Sequence, residues 1–195
     1  LIIQSCLYSY YKIMIYVNAQ ILSDLGSRRW LMPVMARFHT DSAQRFAQLR
    51  QALAIGSESL SKTLDYLVKM GWLARNQGHG HPLRPEYLLK DDGKAAAHVA
   101  HTLSQSLGKL NIDPSQLTRW TYPLLLLMRQ GNTRFSDFEH ALDKTTSRAI
   151  AQCLKKLVSL GIVERNVGEE YPPSPRYTLS QCGTVLAKAL EAHQS

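Results

Sequence analysis

The chain has 195 residues and weighs 22.0 kDa, enough for one large domain or two small ones. Hydrophobic residues at 45% and charged residues at 19% exclude a disordered or collagen-like chain. Lys+Arg 23 against Asp+Glu 15 leaves +8, which favours a polyanionic partner. The three cysteines, Cys6, Cys153 and Cys182, are odd in number and spaced for neither a disulfide framework nor a zinc site, so a reducing, cytoplasmic setting is expected.

Residues 1–17 are the most apolar stretch, but Gln4, Ser5, Ser9 and Lys12 interrupt it. The ~20 consecutive apolar residues of a membrane span are absent, and no membrane partner is expected. Residues 1–20 are read as an N-terminal extension, native or artefactual. An apolar helix is predicted over Trp30–Phe38, with Pro33 tolerated in its first turn. The polar breakers Thr40-Asp41-Ser42 follow, then a short helix over Phe46–Leu53 and a turn at Ala54-Ile55-Gly56. Leu60, Leu64, Leu67 and Val68 fall at i, i+4, i+7, i+8, one apolar stripe of a longer helix that Gly71 ends. Two strands, Trp72–Arg75 and Glu86–Leu89, flank a Gly/Pro-rich tip and read as a hairpin; a closing helix runs from about Lys94 to Leu107.

The chain then repeats itself. Arg29-Trp30 returns as Arg119-Trp120, and Arg45-Phe46 as Arg134-Phe135. Between residues 64 and 93, twelve of thirty positions are identical at an offset of 90, Gly71/Gly161, Arg75/Arg165, Tyr87/Tyr177 and Gly93/Gly183 among them. Chance gives about two. The second copy has helices at Trp120–Met128 and Phe135–Leu142, a striped helix with Ile150, Leu154, Leu157 and Val158, a hairpin, and a closing helix at Gln181–Ala192. The expected architecture is mainly α with small β-hairpin wings (α+β): tandem winged helix-turn-helix domains over 21–107 and 108–195 that form an intramolecular pseudo-dimer.

These motifs carry a family resemblance. The order Trp, apolar helix, Arg-Phe, short helix, leucine-spaced helix ending in Gly, basic strand end, Pro-rich wing and Tyr-x-Leu resembles the HxlR-type winged helix-turn-helix regulators of bacteria, relatives of the MarR group. Arg134-Phe135, Gly161-Ile162-Val163-Glu164-Arg165 and Pro172–Leu179 match best, and the resemblance spans about residues 26 to 192. It implies a sequence-specific regulator of transcription that binds double-stranded DNA; repression is favoured over activation, a choice the sequence itself does not make. Helices 57–70 and 147–160 would read the major groove, and wings 78–85 and 168–176 would touch the backbone or minor groove. In two respects the chain departs from the family. The Cys-Pro usual before the Trp is replaced by Tyr16 and Ser106, which argues against a thiol sensor there, and two modules share one chain instead of one.

The residues expected to touch DNA are Arg45, Ser57, Ser59, Lys62, Tyr66, Lys69 and Arg84 in the first copy, with Arg134, Thr146, Arg148, Gln152, Lys155, Lys156 and Arg176 in the second. Arg reads guanine and Gln reads adenine through paired hydrogen bonds, and Arg148 and Gln152 lie one helical turn apart. The first copy offers Glu58 and Asp65, which repel phosphate, so the second is expected to read bases better. No P-loop, HExxH or nucleophile elbow occurs, so neither catalysis nor a cofactor is expected. His79 and His81 are too few for a metal site. Three further expectations concern partners. The chain is a monomeric pseudo-dimer or a homodimer; a small-molecule effector is allowed for, with Trp30, Trp72 and Trp120 as lining candidates; and degenerate winged helices serving as a non-catalytic protein-interaction adaptor are the rival reading.

Overall fold

The computed structural model describes residues 20–76, 85–167 and 174–191. The wing tips lie outside these, and with them Arg84 and the His79/His81 pair. The described chain divides into two compact units, one of residues 1–27 and 117–187, the other of residues 28–116 and 188–195. This division differs from the 21–107 and 108–195 boundaries expected above: residues 20–27 group with the second copy, and residues 108–116 group with the first.

In the unit holding the first copy, α2 (Leu31–Thr40) packs along α5 (Asp91–Lys109). Leu31, Val34, Met35 and Phe38 are fully buried on α2, and Ala96, Ala97, Ala100 and Leu103 on α5. Small residues at i, i+1 and i+4 let the helices approach closely. Between them α3 (Phe46–Leu53) and α4 (Ser57–Lys69) form the helix-turn-helix. The α4 stripe buries Leu60, Leu64 and Leu67 completely, about 1.5–3 kcal/mol each. Gly71 takes φ +79° past the helix end, and the chain closes with Trp72 N–H on the Leu67 carbonyl (3.1 Å) and Gly71 N–H on that of Val68 (3.0 Å).

The hairpin strands β2 (Leu73–Asn76) and β3 (Glu86–Leu89) are antiparallel, as the alternation predicts. A third strand, β1 (Ala43–Arg45), pairs with the other edge of β3, so the sheet order is β1-β3-β2. Three residues after a polar breaker carry no period-2 signal, so the sequence alone assigns them no strand. Asp41 sets the entry, its Oδ1 accepting the Ala43 N–H at 3.1 Å.

The other unit repeats the plan with α6 (Thr121–Arg129), α7 (Phe135–Ala141), α8 (Ser147–Ser159), β4 (Val163–Val167), β5 (Pro175–Leu179) and most of α9 (Gln181–Glu191). Its counterpart of β1 shrinks to one bridge, Arg134 opposite Arg176. Gly161 at φ +66° ends α8 with the same pair of bonds, from Ile162 and Gly161 to Leu157 and Val158. A helical segment at residues 20–25 (α1), unexpected from sequence, joins this unit: the Arg119 Nε–H donates to Ser23 Oγ at 2.8 Å. Among the described residues no helix is long and apolar enough to cross a membrane, and no group of three or more His, Cys, Asp or Glu is arranged to hold a metal ion.

Candidate nucleic-acid interface

In each copy the second helix of the helix-turn-helix buries its leucine stripe and leaves the opposite face to solvent. On α8 that face carries Arg148, Gln152 and Lys155, all exposed, with Lys156 half-buried beside them. The helix holds three cations and no acid. Thr146 caps it, its Oγ1 accepting the Ala149 N–H at 3.3 Å. That bond satisfies an orphan donor of the first turn and fixes the start of the helix from which Arg148 projects.

The corresponding face of α4 differs in kind. Ser57, Ser59, Lys62 and Lys69 are exposed as expected, but Lys62 is ion-paired to Glu58 one turn earlier. Asp65 is exposed on the same helix, whose two cations and two acids cancel. Tyr66 is half-buried, with the Arg28 guanidinium 4.1 Å from its ring centroid, so one ring face is already covered. Gly56 precedes the helix with no side chain to cap it, and the Arg50 Nη1–H donates to Ser57 Oγ at 3.2 Å.

The arginines before the short helices sit at the root of the wings. Arg45 ends β1 directly opposite Glu86 on β3. Its N–H donates to Gln48 Oε1 at 3.2 Å, which starts α3. Arg134 is its counterpart, its N–H donating to Asp137 Oδ2 at 2.9 Å, but it stands opposite Arg176. Thus two predicted contacts of the second copy, Arg134 and Arg176, are register partners, whereas the register partner of Arg45 is Glu86. Sequence reading missed both pairings, although the Glu86/Arg176 exchange stands in the repeat at the same offset of 90. Arg84 lies outside the described residues. Of the tryptophans, Trp72 is buried, and Trp30 and Trp120 are half-buried.

A cavity of about 190 Å³ adjoins the α7–α8 turn, lined among others by Ser23, Arg119, Trp120, Leu142, Lys144 and Thr145. The Thr145 hydroxyl is buried there without a hydrogen-bond partner.

Comparison with known proteins places this geometry in a family. The HxlR-like helix-turn-helix family matches twice, at residues 25–116 and 117–195. An HTH-type transcriptional regulator of Methanothermobacter thermautotrophicus is 31% identical over 74 residues, 38% of this chain and 56% of the relative. YvaP of Bacillus subtilis, also an HTH-type transcriptional regulator, is 35% identical over 72 residues, 37% of this chain and 67% of the relative. The matched stretch thus spans roughly half to two thirds of these relatives' length. Among solved structures, diamide-treated YodB from B. subtilis aligns with a TM-score of 0.35 and 27% identity, covering 46% of this chain and 80% of that one. The chain belongs to the HxlR-like helix-turn-helix family and carries that module twice.

Proposed function

We propose that the protein is a sequence-specific regulator of transcription that binds double-stranded DNA, as a repressor, with helices 57–70 and 147–160 in the major groove and wings 78–85 and 168–176 against the backbone or minor groove. The observation that carries this reading is α8: an exposed, well-capped helix with three cations, a glutamine and no acid on a helix-turn-helix scaffold. A helix has the dimensions of the major groove, and Arg148 and Gln152 are the residue types that pair with guanine and adenine edges. In the first copy the candidate contacts are Arg45, Ser57, Ser59, Lys62, Tyr66, Lys69 and Arg84; in the second they are Arg134, Thr146, Arg148, Gln152, Lys155, Lys156 and Arg176. The two modules take 21–107 and 108–195, and both reading helices belong to one chain, so one chain supplies two half-site readers.

Selection of the purified chain against random duplexes tests this. Enrichment of a defined site, with half-sites about one helical turn apart (~34–36 Å), is expected. Recovery of the starting pool unchanged contradicts it.

A small-molecule effector fits the same reading, because the cavity beside the α7–α8 turn joins Arg119 and the unpartnered Thr145 hydroxyl to the Trp120 ring. The adaptor reading draws its support from the Glu58–Lys62 pair, which leaves α4 without net charge.

A further inference from the structure

We propose that the cavity beside the α7–α8 turn is a binding site for a small monocarboxylic acid, its carboxylate on Arg119 and its apolar body against Trp120. The inference rests on the effector reading above and deepens it by naming the ligand class. Its first test needs no DNA, so the two can fail separately.

The repeat supplies the comparison. The residue before the cap of a reading helix is Ile55 in the first copy and Thr145 in the second, at the same offset of 90. This position favours an apolar side chain that packs against the helix it introduces. Ile55 fits that demand and is only 4% exposed. Thr145 brings a hydroxyl instead, and that hydroxyl is buried with no hydrogen-bond partner. Such orphans are rare in native proteins and costly, so each one asks for a partner. Thr145 also lines the cavity. Rotation about χ1 moves its hydroxyl among three staggered positions, and an acceptor in the cavity stabilises the one it can reach.

The rest of the lining sets the class of ligand. Trp120, Pro123 and Leu142 give the cavity an apolar wall. Asp143 and Lys144, both exposed, offset one another in charge, so Arg119 decides the sign. Its Nε–H donates to the hydroxyl of the buried Ser23 at 2.8 Å, which uses one of the five guanidinium donors. Its Cζ lies 5.1 Å from the Trp120 ring centroid. A guanidinium anchored at one edge suits the two oxygens of a carboxylate, and the ring beside it suits an apolar body. Size sets the upper bound. A cavity of about 150 Å³ holds benzene. At about 190 Å³, this one takes a single ring or a short chain together with a carboxylate. Thr145 immediately precedes Thr146, the cap of α8, so a ligand here touches the start of a reading helix.

The experiment follows the indole N–H signals of the full-length chain by NMR, assigned through Trp30→Phe and Trp72→Phe. Benzoate and hexanoate are added in turn, each beside its own uncharged amide. Trp30 is the internal control, because the first copy repeats the arginine–tryptophan pair, Arg29 over Trp30 at 4.9 Å, but has Ile55 in place of Thr145. At least one carboxylate is expected to move the Trp120 signal, saturating with a Kd of about 0.1–1 mM, while the Trp30 signal stays in place. The matching amide should bind at least about fivefold more weakly. Thr145→Val removes the hydroxyl with little change of shape. Without ligand it should melt about 4–8 °C higher than the parent, since the orphan is gone, and its affinity for the carboxylate should fall about 5- to 20-fold. Arg119→Gln should weaken binding by about tenfold or more, with circular dichroism checking its fold. The inference is overturned if neither carboxylate moves the Trp120 signal, if the amide binds as well as its acid, or if Thr145→Val keeps its carboxylate affinity within twofold. A carboxylate that binds as expected but leaves the affinity for the selected duplex unchanged supports the site and overturns only the effector reading. Failure of the parent to bind any duplex overturns the DNA-binding reading and leaves a site shown by the indole signals standing.

Discussion

At the scale of single residues, two glycines shared by the copies carry more structural weight than their place in the sequence suggests. Gly93 and Gly183 open the closing helices as ordinary helical residues, yet a Cβ on Gly93 would lie 2.5 Å from the Trp72 carbonyl oxygen, and one on Gly183 would collide with that of Ile162. Each helix start is pressed against the residue that follows the glycine ending a reading helix, and only hydrogen fits. Gly93→Ala and Gly183→Ala should each destabilise by ~1–3 kcal/mol in urea unfolding, a loss no surface alanine in α5 would cause. Three buried protons give a second residue-scale prediction. Burial pushes the Cys153 thiol up, against smaller opposing hydrogen bonds from Thr118 and Thr121, and burial also raises the phenols of Tyr87 and Tyr122. All three hold their protons more tightly folded than unfolded. Above the ordinary thiol value of 9.0 and phenol value of 10.0 the unfolded chain releases protons that the native chain keeps. Their stabilisation is complete below pH 9 and is lost as pH rises through the raised native values, by at most about 1.4 kcal/mol per pH unit for each group. Urea midpoints should therefore fall between pH 7 and about pH 10.5; equal midpoints would refute this.

At the scale of elements, the two reading helices differ first in how they begin. Thr146 accepts a backbone N–H and Gly56 cannot, so Thr146→Ala should cost about 1 kcal/mol. Gly56→Ser should stabilise by roughly 0.3–1 kcal/mol, because φ is −65° and a Cβ there meets nothing within 4 Å. A lower melting temperature for Gly56→Ser would show that the end of α3 already holds this turn. The helices and hairpins were legible because burial imposes periods, 3.6 on Leu60, Leu64 and Leu67 and 2 on the strands. The glycine ends were legible because Gly71 and Gly161 need positive φ. What stayed hidden has no local period: β1 exists only because β3 offers a free edge, and the Arg45–Glu86 and Arg134–Arg176 pairings depend on register across the sheet. The residue types of the candidate interface could be read from the chain. The pairing of Lys62 with Glu58 and the cover on Tyr66 are facts of side-chain placement, and they change what those residues can do.

At the scale of the whole molecule, the repeat and the compact units do not cut the chain at the same place. Segment 20–27 belongs with the second copy, held by the Arg119–Ser23 bond and by a close approach in which a Cβ on Gly26 would lie 3.0 Å from Arg119 Cα. Removing residues 1–27 should therefore lower the melting temperature of the second copy's unit, although those residues precede the first copy. Since one chain holds two reading helices, a 22.0 kDa particle is expected in solution, and a stable particle of twice that mass on DNA with four modules engaged would contradict it. The central claim, that exposed cations on these helices meet a phosphate backbone, is tested most directly by the salt dependence of duplex affinity. The logarithm of the association constant is expected to fall linearly with the logarithm of salt concentration, with a slope near −0.9 for each phosphate neutralised, while the selected site keeps its advantage over random duplex throughout. A slope near zero, or an advantage that vanishes at every salt concentration, would contradict it.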